Sequence, residues 1–117
     1  MRKKVVYSVV VPVYNEELVI NESYARLKKV METTFESYEI VFVNDGSRDM
    51  TRKLAEGICR IDGRVNLINF SRNFGHQAAI TAGMANALGE AIIVIDADLQ
   101  DPPEVIIKMI KKWKEGY

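Results

Sequence analysis

The feature that most constrains this chain is an alternation. Four short runs rich in apolar residues, Val5–Val11, Glu39–Asn44, Asn66–Phe70 and Ala91–Ile95, are separated by stretches of helical periodicity. The first run is apolar at nearly every position, as expected of a strand covered on both faces. Between the runs, Glu16 to about Phe35 places Leu18, Val19, Leu27, Val30, Met31 and Phe35 near helical spacing. A second helix is predicted to start with Ser47 or Asp49 as cap and to run to about Ile61, with Leu54, Ala55, Ile58 and Cys59 facing inward. Gly75–Leu88 is alanine-rich and predicts a third helix. "DPPE" marks the start of a fourth. Asp101 suits its cap, Pro102 and Pro103 its first turn, and Glu104 completes a capping-box spacing. Val105, Ile106, Met109, Ile110 and Trp113 form that helix's apolar face.

Strands alternating with helices predict an α/β fold: a Rossmann-like, mostly parallel sheet with right-handed crossovers and helices on both faces. The pattern stops after a helix, where such a fold next expects a strand. Residues 1–117 therefore read as the front part of a longer protein. In open sheets of this kind, ligands bind beyond the carboxyl ends of the strands, where strand order reverses. The polar clusters fall at those ends: "PVYNEE", "NDGSRD", "SRNFGH" and "DADLQD". With spatial order 3-2-1-4, the reversal lies between strands one and four. Pro12 to Glu16, Asp45, and Asp96 to Asp98 then share one rim.

Asp96 and Asp98, separated by one residue at the end of an apolar strand, can turn toward a shared cation. Hard divalent ions such as Mg²⁺ take oxygen ligands, commonly one or two carboxylates plus substrate phosphates, and Mn²⁺ accepts similar ones. Gln100 offers a further oxygen. The competing reading makes Asp98 and Asp101 caps of the next helix, and the spacing to Glu104 explains Asp101 well in that role. Asp45 before Gly46 fits either a turn residue or an acceptor for a base N–H or ribose hydroxyl. Asn15, Glu16 and Glu17 fit either a ligand-contacting loop or the acid-favouring first turn of a helix. Arg72 and His76 lie where they could meet phosphate.

Several classes are excluded by specific residues. Sixteen basic and sixteen acidic residues cancel, leaving no global field for nucleic acid. No G-x-G-x-x-G follows the first strand and no P-loop is present. The single cysteine, Cys59, has no ligand-spaced partner and rules out an internal disulfide. No apolar run reaches the roughly 18–20 residues that cross a bilayer. The lysines at 108, 111, 112 and 114 read as a solvated face rather than a membrane contact.

"VVVPVYNEE", "VFVNDGSRD" and "SRNFGHQAAITAGMANALGEAIIVIDADLQDPPE" together resemble the N-terminal half of a family 2 glycosyltransferase with the GT-A fold. Within that family they look most like polyprenyl-phosphate sugar transferases, the bactoprenol and dolichol-phosphate group. The resemblance implies a nucleotide-sugar-binding part that takes a UDP-glucose-like donor, uses Mg²⁺ or Mn²⁺, and transfers a hexose with inversion to a polyprenyl phosphate. It implies that Pro12, Tyr14, Asn15 and Glu16 contact the nucleotide, that Asp45 reads the base, and that Arg72, Asn73 and Gly75 form a loop near the donor. It assigns the metal to Asp96 and Asp98, with Gln100 as a third contact. The acceptor-side acid and the membrane segments are expected beyond Tyr117, so the fragment is expected to be soluble and inactive alone. The longer protein is expected at the cytoplasmic face of a membrane. The alternative is a non-catalytic nucleotide- or metal-binding module. A homo-oligomer could form through the sheet edge at the fourth strand.

Overall fold

The computed structural model describes residues 4–98 and 102–116. The elements alternate strictly: β1 (Tyr7–Val13), α1 (Ile20–Glu32), β2 (Tyr38–Asn44), α2 (Thr51–Ile61), β3 (Val65–Asn69), α3 (His76–Asn86), β4 (Ala91–Val94) and α4 (Val105–Lys114). All strand pairings are parallel. The spatial order is β3-β2-β1-β4, as the alternation predicted, and the sheet reverses between β1 and β4.

β1 and β2 are buried at every position, because helices cover both faces. On one face, α1, α2 and α4 pack Ile20, Leu27, Met31, Ala55, Ile58, Ile106 and Ile110 against Tyr7, Val9, Val11, Val13, Ile40 and Phe42. On the other, α3 sets Ala79 against Val10, Val41 and Val43. Gly83 lets α3 approach closely, since a Cβ there would lie 2.3 Å from Val10 Cγ1. The alanine-rich stretch is therefore the helix that covers a sheet face alone, where small side chains permit short contact.

Pro12 sits inside β1, a central strand, where a missing N–H normally breaks a ladder. Tyr7 N–H and Val13 O bond toward β2, while Val10 O accepts from the β4 side. Pro12 falls on the β4 side. The ladder there stops at the bond from Ile95 N–H to Val10 O, 3.0 Å. The proline's missing donor thus coincides with the place where β1 and β4 part, and that parting opens the sheet.

Three expectations need correction. α1 starts at Ile20 rather than Glu16, because residues 16–19 form a turn in which Glu16 O accepts from Val19 and Ile20 N–H. Leu18 and Phe35, read as part of its apolar face, are 92% and 97% exposed. Phe35 lies past the helix end at φ 55°, where Thr33 and Thr34 have already turned back to the carbonyls of Val30 and Met31. Glu104 does not act as the third residue of a capping box. It stands at the cap position itself, makes no capping bond, and pairs with Arg26 at 2.7 Å. Asp101, the predicted cap, lies outside the described residues. Its neighbour Gln100 does too.

Candidate functional site

The four strand ends surround a cleft of about 320 Å³ at the reversal point. β1 and its following loop contribute Pro12, Val13, Tyr14 and Glu16; β2 contributes Asp45; the segment leading into α3 contributes Asn73, Gly75 and His76; and β4 leads to Asp96, Ala97 and Asp98. Of the residues predicted from sequence, Pro12, Tyr14, Glu16, Asp45, Asp96 and Asp98 are thereby brought together. Asn15 and Arg72 are not among the lining residues. Gln100 lies outside the described residues.

Asn15 sits at φ 51° and its contacts are to the neighbouring loop. Its N–H donates to Ser47 Oγ and its Oδ1 accepts from Arg48 N–H, each at 2.9 Å. Glu16 N–H donates to Thr51 Oγ1 at 2.8 Å, and Glu17 Oε2 accepts from Met50 N–H at 3.1 Å. The loops after β1 and β2 are thus laced together side chain to backbone. Asp49 ties this lacing to α2 by accepting from Thr51 N–H at 2.9 Å. Burial pushes the Asp49 carboxyl up, but the Thr51 hydroxyl and the N–H groups of Thr51 and Glu17 outweigh it and hold the carboxyl below its usual range. The sequence marked Ser47 or Asp49 as the cap of α2, but Met50 takes the cap position and makes no side-chain cap bond; nothing local in the sequence signals that Ser47 and Asp49 grip the loop carrying Tyr14 and Glu16.

Asp45 is 4% exposed. Its two oxygens accept from Phe74 N–H at 2.7 Å and Gly75 N–H at 3.2 Å. This fixes the loop before α3, a role the sequence did not suggest. Gly46 completes the contact at φ 73°, where a Cβ would lie 2.3 Å from the carbonyl carbon of Arg72. The Arg72 guanidinium is set over the Phe74 ring, 4.3 Å from its centroid. His76, the first residue of α3, brings Nε2 to 3.7 Å from Asp96 Oδ1.

The electrostatics of the cleft are one-sided. Among the described residues its lining holds four carboxylates and no lysine or arginine. Burial, and then the charges of Asp98, Asp49 and Asp96, push the Glu16 carboxyl above its usual range. Among the described residues no three His, Cys, Asp or Glu side chains converge as a closed metal cage. An open pair of carboxylates is the donor set Mg²⁺ and Mn²⁺ commonly take when substrate oxygens complete the shell. The like charges of Asp98, Asp49 and Asp96, which add to the effect of burial on Glu16, are what a divalent cation would relieve. The residues present therefore fit such an ion.

Comparison with known proteins shows the family. The sequence model described as glycosyl transferase family 2 matches residues 8–117. A glycosyltransferase of Bacillus subtilis, YkcC, described as uncharacterized, is 64% identical over 117 residues, all of this chain and 36% of its own length. A prophage bactoprenol glucosyl transferase homolog of Escherichia coli is 46% identical over 93% of this chain and 36% of its own length. The chain spans about a third of the length of these relatives. Among solved structures, S. aureus TarS 1-349 in complex with UDP superposes with a TM-score of 0.67 at 28% identity, covering 80% of this chain and 27% of that one.

Proposed function

The chain belongs to glycosyl transferase family 2, and from that premise we propose that it forms the donor-binding part of a metal-dependent, inverting hexosyltransferase. The donor is a nucleotide sugar of the UDP-glucose type and the acceptor a polyprenyl phosphate. The observation that carries this reading is the meeting of Asp96 and Asp98 with Glu16 and Asp45 at the parting of β1 and β4. The bactoprenol name of the E. coli relative supports the lipid acceptor, and the UDP complex of TarS supports the nucleotide.

In this reading Asp96 and Asp98 hold Mg²⁺ or Mn²⁺. Bound there, the cation supplies the Lewis acidity that stabilises negative charge on a departing diphosphate. Gln100 is assigned to the same ion. Pro12 and Tyr14 wall the nucleotide. Asp45 accepts from its base while fixing the loop of Phe74 and Gly75. Asn15 acts on Tyr14 and Glu16 through the lacing to Ser47 and Arg48, which orders them before the donor arrives and lowers the entropic cost of binding. Arg72, Asn73 and Gly75 form the loop near the donor. The acceptor-side acid and the membrane contacts are assigned to parts of the longer protein outside these residues, at the cytoplasmic face of the membrane. Within the described residues, no helix is long and apolar enough to cross a bilayer.

The test is calorimetric titration of the full-length protein with UDP-glucose and GDP-mannose, with Mn²⁺ and with chelator, followed by transfer of labelled glucose to polyprenyl phosphate. Asp98→Ala is expected to weaken metal-dependent binding by tenfold or more, roughly the worth of one charged contact, with thermal stability preserved. Binding that is indifferent to both chelator and Asp98→Ala would remove the metal assignment. Binding without any transfer would favour a non-catalytic module.

A further inference from the structure

We infer that His76 is a diphosphate-contacting residue of this cleft, the side-chain nitrogen donor that meets the ligand's phosphate oxygens beside Asp96. The inference rests on the reading of the cleft as a nucleotide-sugar site. Its starting point is a charge imbalance. Among the described residues the cleft's lining contains Glu16, Asp45, Asp96 and Asp98 but neither lysine nor arginine. A diphosphate entering it brings more negative charge. A cation on Asp96 and Asp98 offsets part of that, but phosphate oxygens turned away from the ion still need donors.

Arg72, the basic residue nearest in sequence, is placed over the Phe74 ring and outside the lining. Among the described residues only two lining side chains carry a nitrogen, Asn73 and His76. The imidazole is the one set against the carboxylate pair, with Nε2 at 3.7 Å from Asp96 Oδ1. That separation is too long for a hydrogen bond. The imidazole thus stands at ion-pair range of Asp96 without a hydrogen bond to it, and its side chain is 61% exposed.

Its backbone is held rather than loose. Asp45 accepts from Phe74 and Gly75 N–H, the two residues immediately before it. Ala79 N–H closes the first turn of α3 onto Gly75 O at 3.2 Å. His76 thus opens an eleven-residue helix whose free first-turn N–H groups add to the same field. By anchoring the residues before His76, Asp45 also aims the imidazole.

The experiment uses the full-length protein with Mn²⁺ and compares UDP and GDP with uridine and guanosine by calorimetry. His76→Ala is expected to weaken the favoured diphosphate about tenfold, the range of a charge-assisted hydrogen bond. It is expected to leave the matching nucleoside and Mn²⁺ alone within twofold. His76→Gln, which keeps an N–H donor, is expected to recover part of the loss. If His76→Ala weakens nucleoside and diphosphate equally, the residue merely shapes the loop and the inference is wrong. Loss of Mn²⁺ affinity without nucleotide would make it a metal ligand instead and overturn it too. If wild type binds diphosphates and His76→Ala binds them equally well, this inference fails alone. If wild type binds neither diphosphate, the proposed function fails and takes this inference with it.

Discussion

β2 carries a buried carboxylate at each end, and the two could hardly differ more in their surroundings. Glu39, near its amino end, is 5% exposed, and Asp45, just past its carboxyl end, is 4% exposed. Glu39 accepts from the Ser8 hydroxyl at 2.6 Å, Leu88 N–H at 2.6 Å and the Asn66 amide at 3.1 Å. Ser8 Oγ in turn accepts from Gly89 N–H at 2.7 Å, so one carboxylate ties β1, β3 and the turn before β4 together. A Cβ on Gly89 would lie 2.6 Å from Ser8 N, so the backbone packs tightly at this corner, while the cleft of about 670 Å³ that Glu39 also lines includes Arg64. Asp45 holds a loop in the same way, yet it lines an open cleft beside three other carboxylates. Burial of an acid, and even its full hydrogen bonding, therefore do not mark a functional site. What sets Asp45 apart is the like charge gathered beside it, with no lysine or arginine among the described residues lining its cleft.

The largest expected effect comes from breaking the Glu39 end. Glu39→Ala leaves three donors without an acceptor where water has little access, and we expect a loss of about 3 kcal/mol in urea unfolding. Nucleotide affinity per folded molecule should stay within twofold. Asp45→Ala should show the reverse balance. We expect about 1–2 kcal/mol of stability lost, since the freed N–H groups of Phe74 and Gly75 lie in a loop that water reaches, but at least a tenfold loss in diphosphate affinity. Should both variants lose the same stability and leave binding alone, the contrast between the two ends collapses.

The smallest effect sharpens the electrostatic half of the comparison. Because the folded state raises the Glu16 carboxyl, it holds that proton to higher pH than the unfolded chain does. The group's contribution to stability therefore falls as pH rises from the ordinary carboxylate range through the raised one. Asp49, Asp62 and Glu36, whose carboxyls are held below their usual range, act in the opposite sense and lose stability on acidification. Subtracting the urea midpoints of Glu16→Gln from those of wild type across pH isolates Glu16. The expected difference favours wild type toward acid and shrinks or reverses toward neutrality, and added Mn²⁺ should flatten it. A flat difference without metal would mean that neither burial nor the neighbouring carboxylates raise Glu16.

How much of this was legible in the sequence follows from how local each signal was. Apolar runs and helical spacing identified all eight elements, because those patterns report burial directly. Helix ends were less legible. Leu18 and Phe35 satisfied the spacing of α1, but the turn at Glu16 and the positive φ of Phe35 put both in solvent. Asp96 and Asp98 stood out because acids rarely end an apolar run without cause. Asn15 stood out equally, and its contacts proved to be to Ser47 and Arg48, about thirty residues away. Glu39 did not stand out, since one glutamate at a strand start is unremarkable until Ser8, Asn66 and Leu88 are seen around it.

The sequence by itself determined the alternating α/β architecture, the parallel sheet and the clustering of polar residues at the carboxyl ends of its strands. These follow from periodicity and chain connectivity, which are local. Only the tertiary structure decided which acids hold the fold and which face the cleft, that Pro12 marks the parting of β1 and β4, and that His76 rather than Arg72 stands against Asp96. Each of those depends on distances between segments far apart in the chain, fixed by the packing of helices on both faces of one sheet.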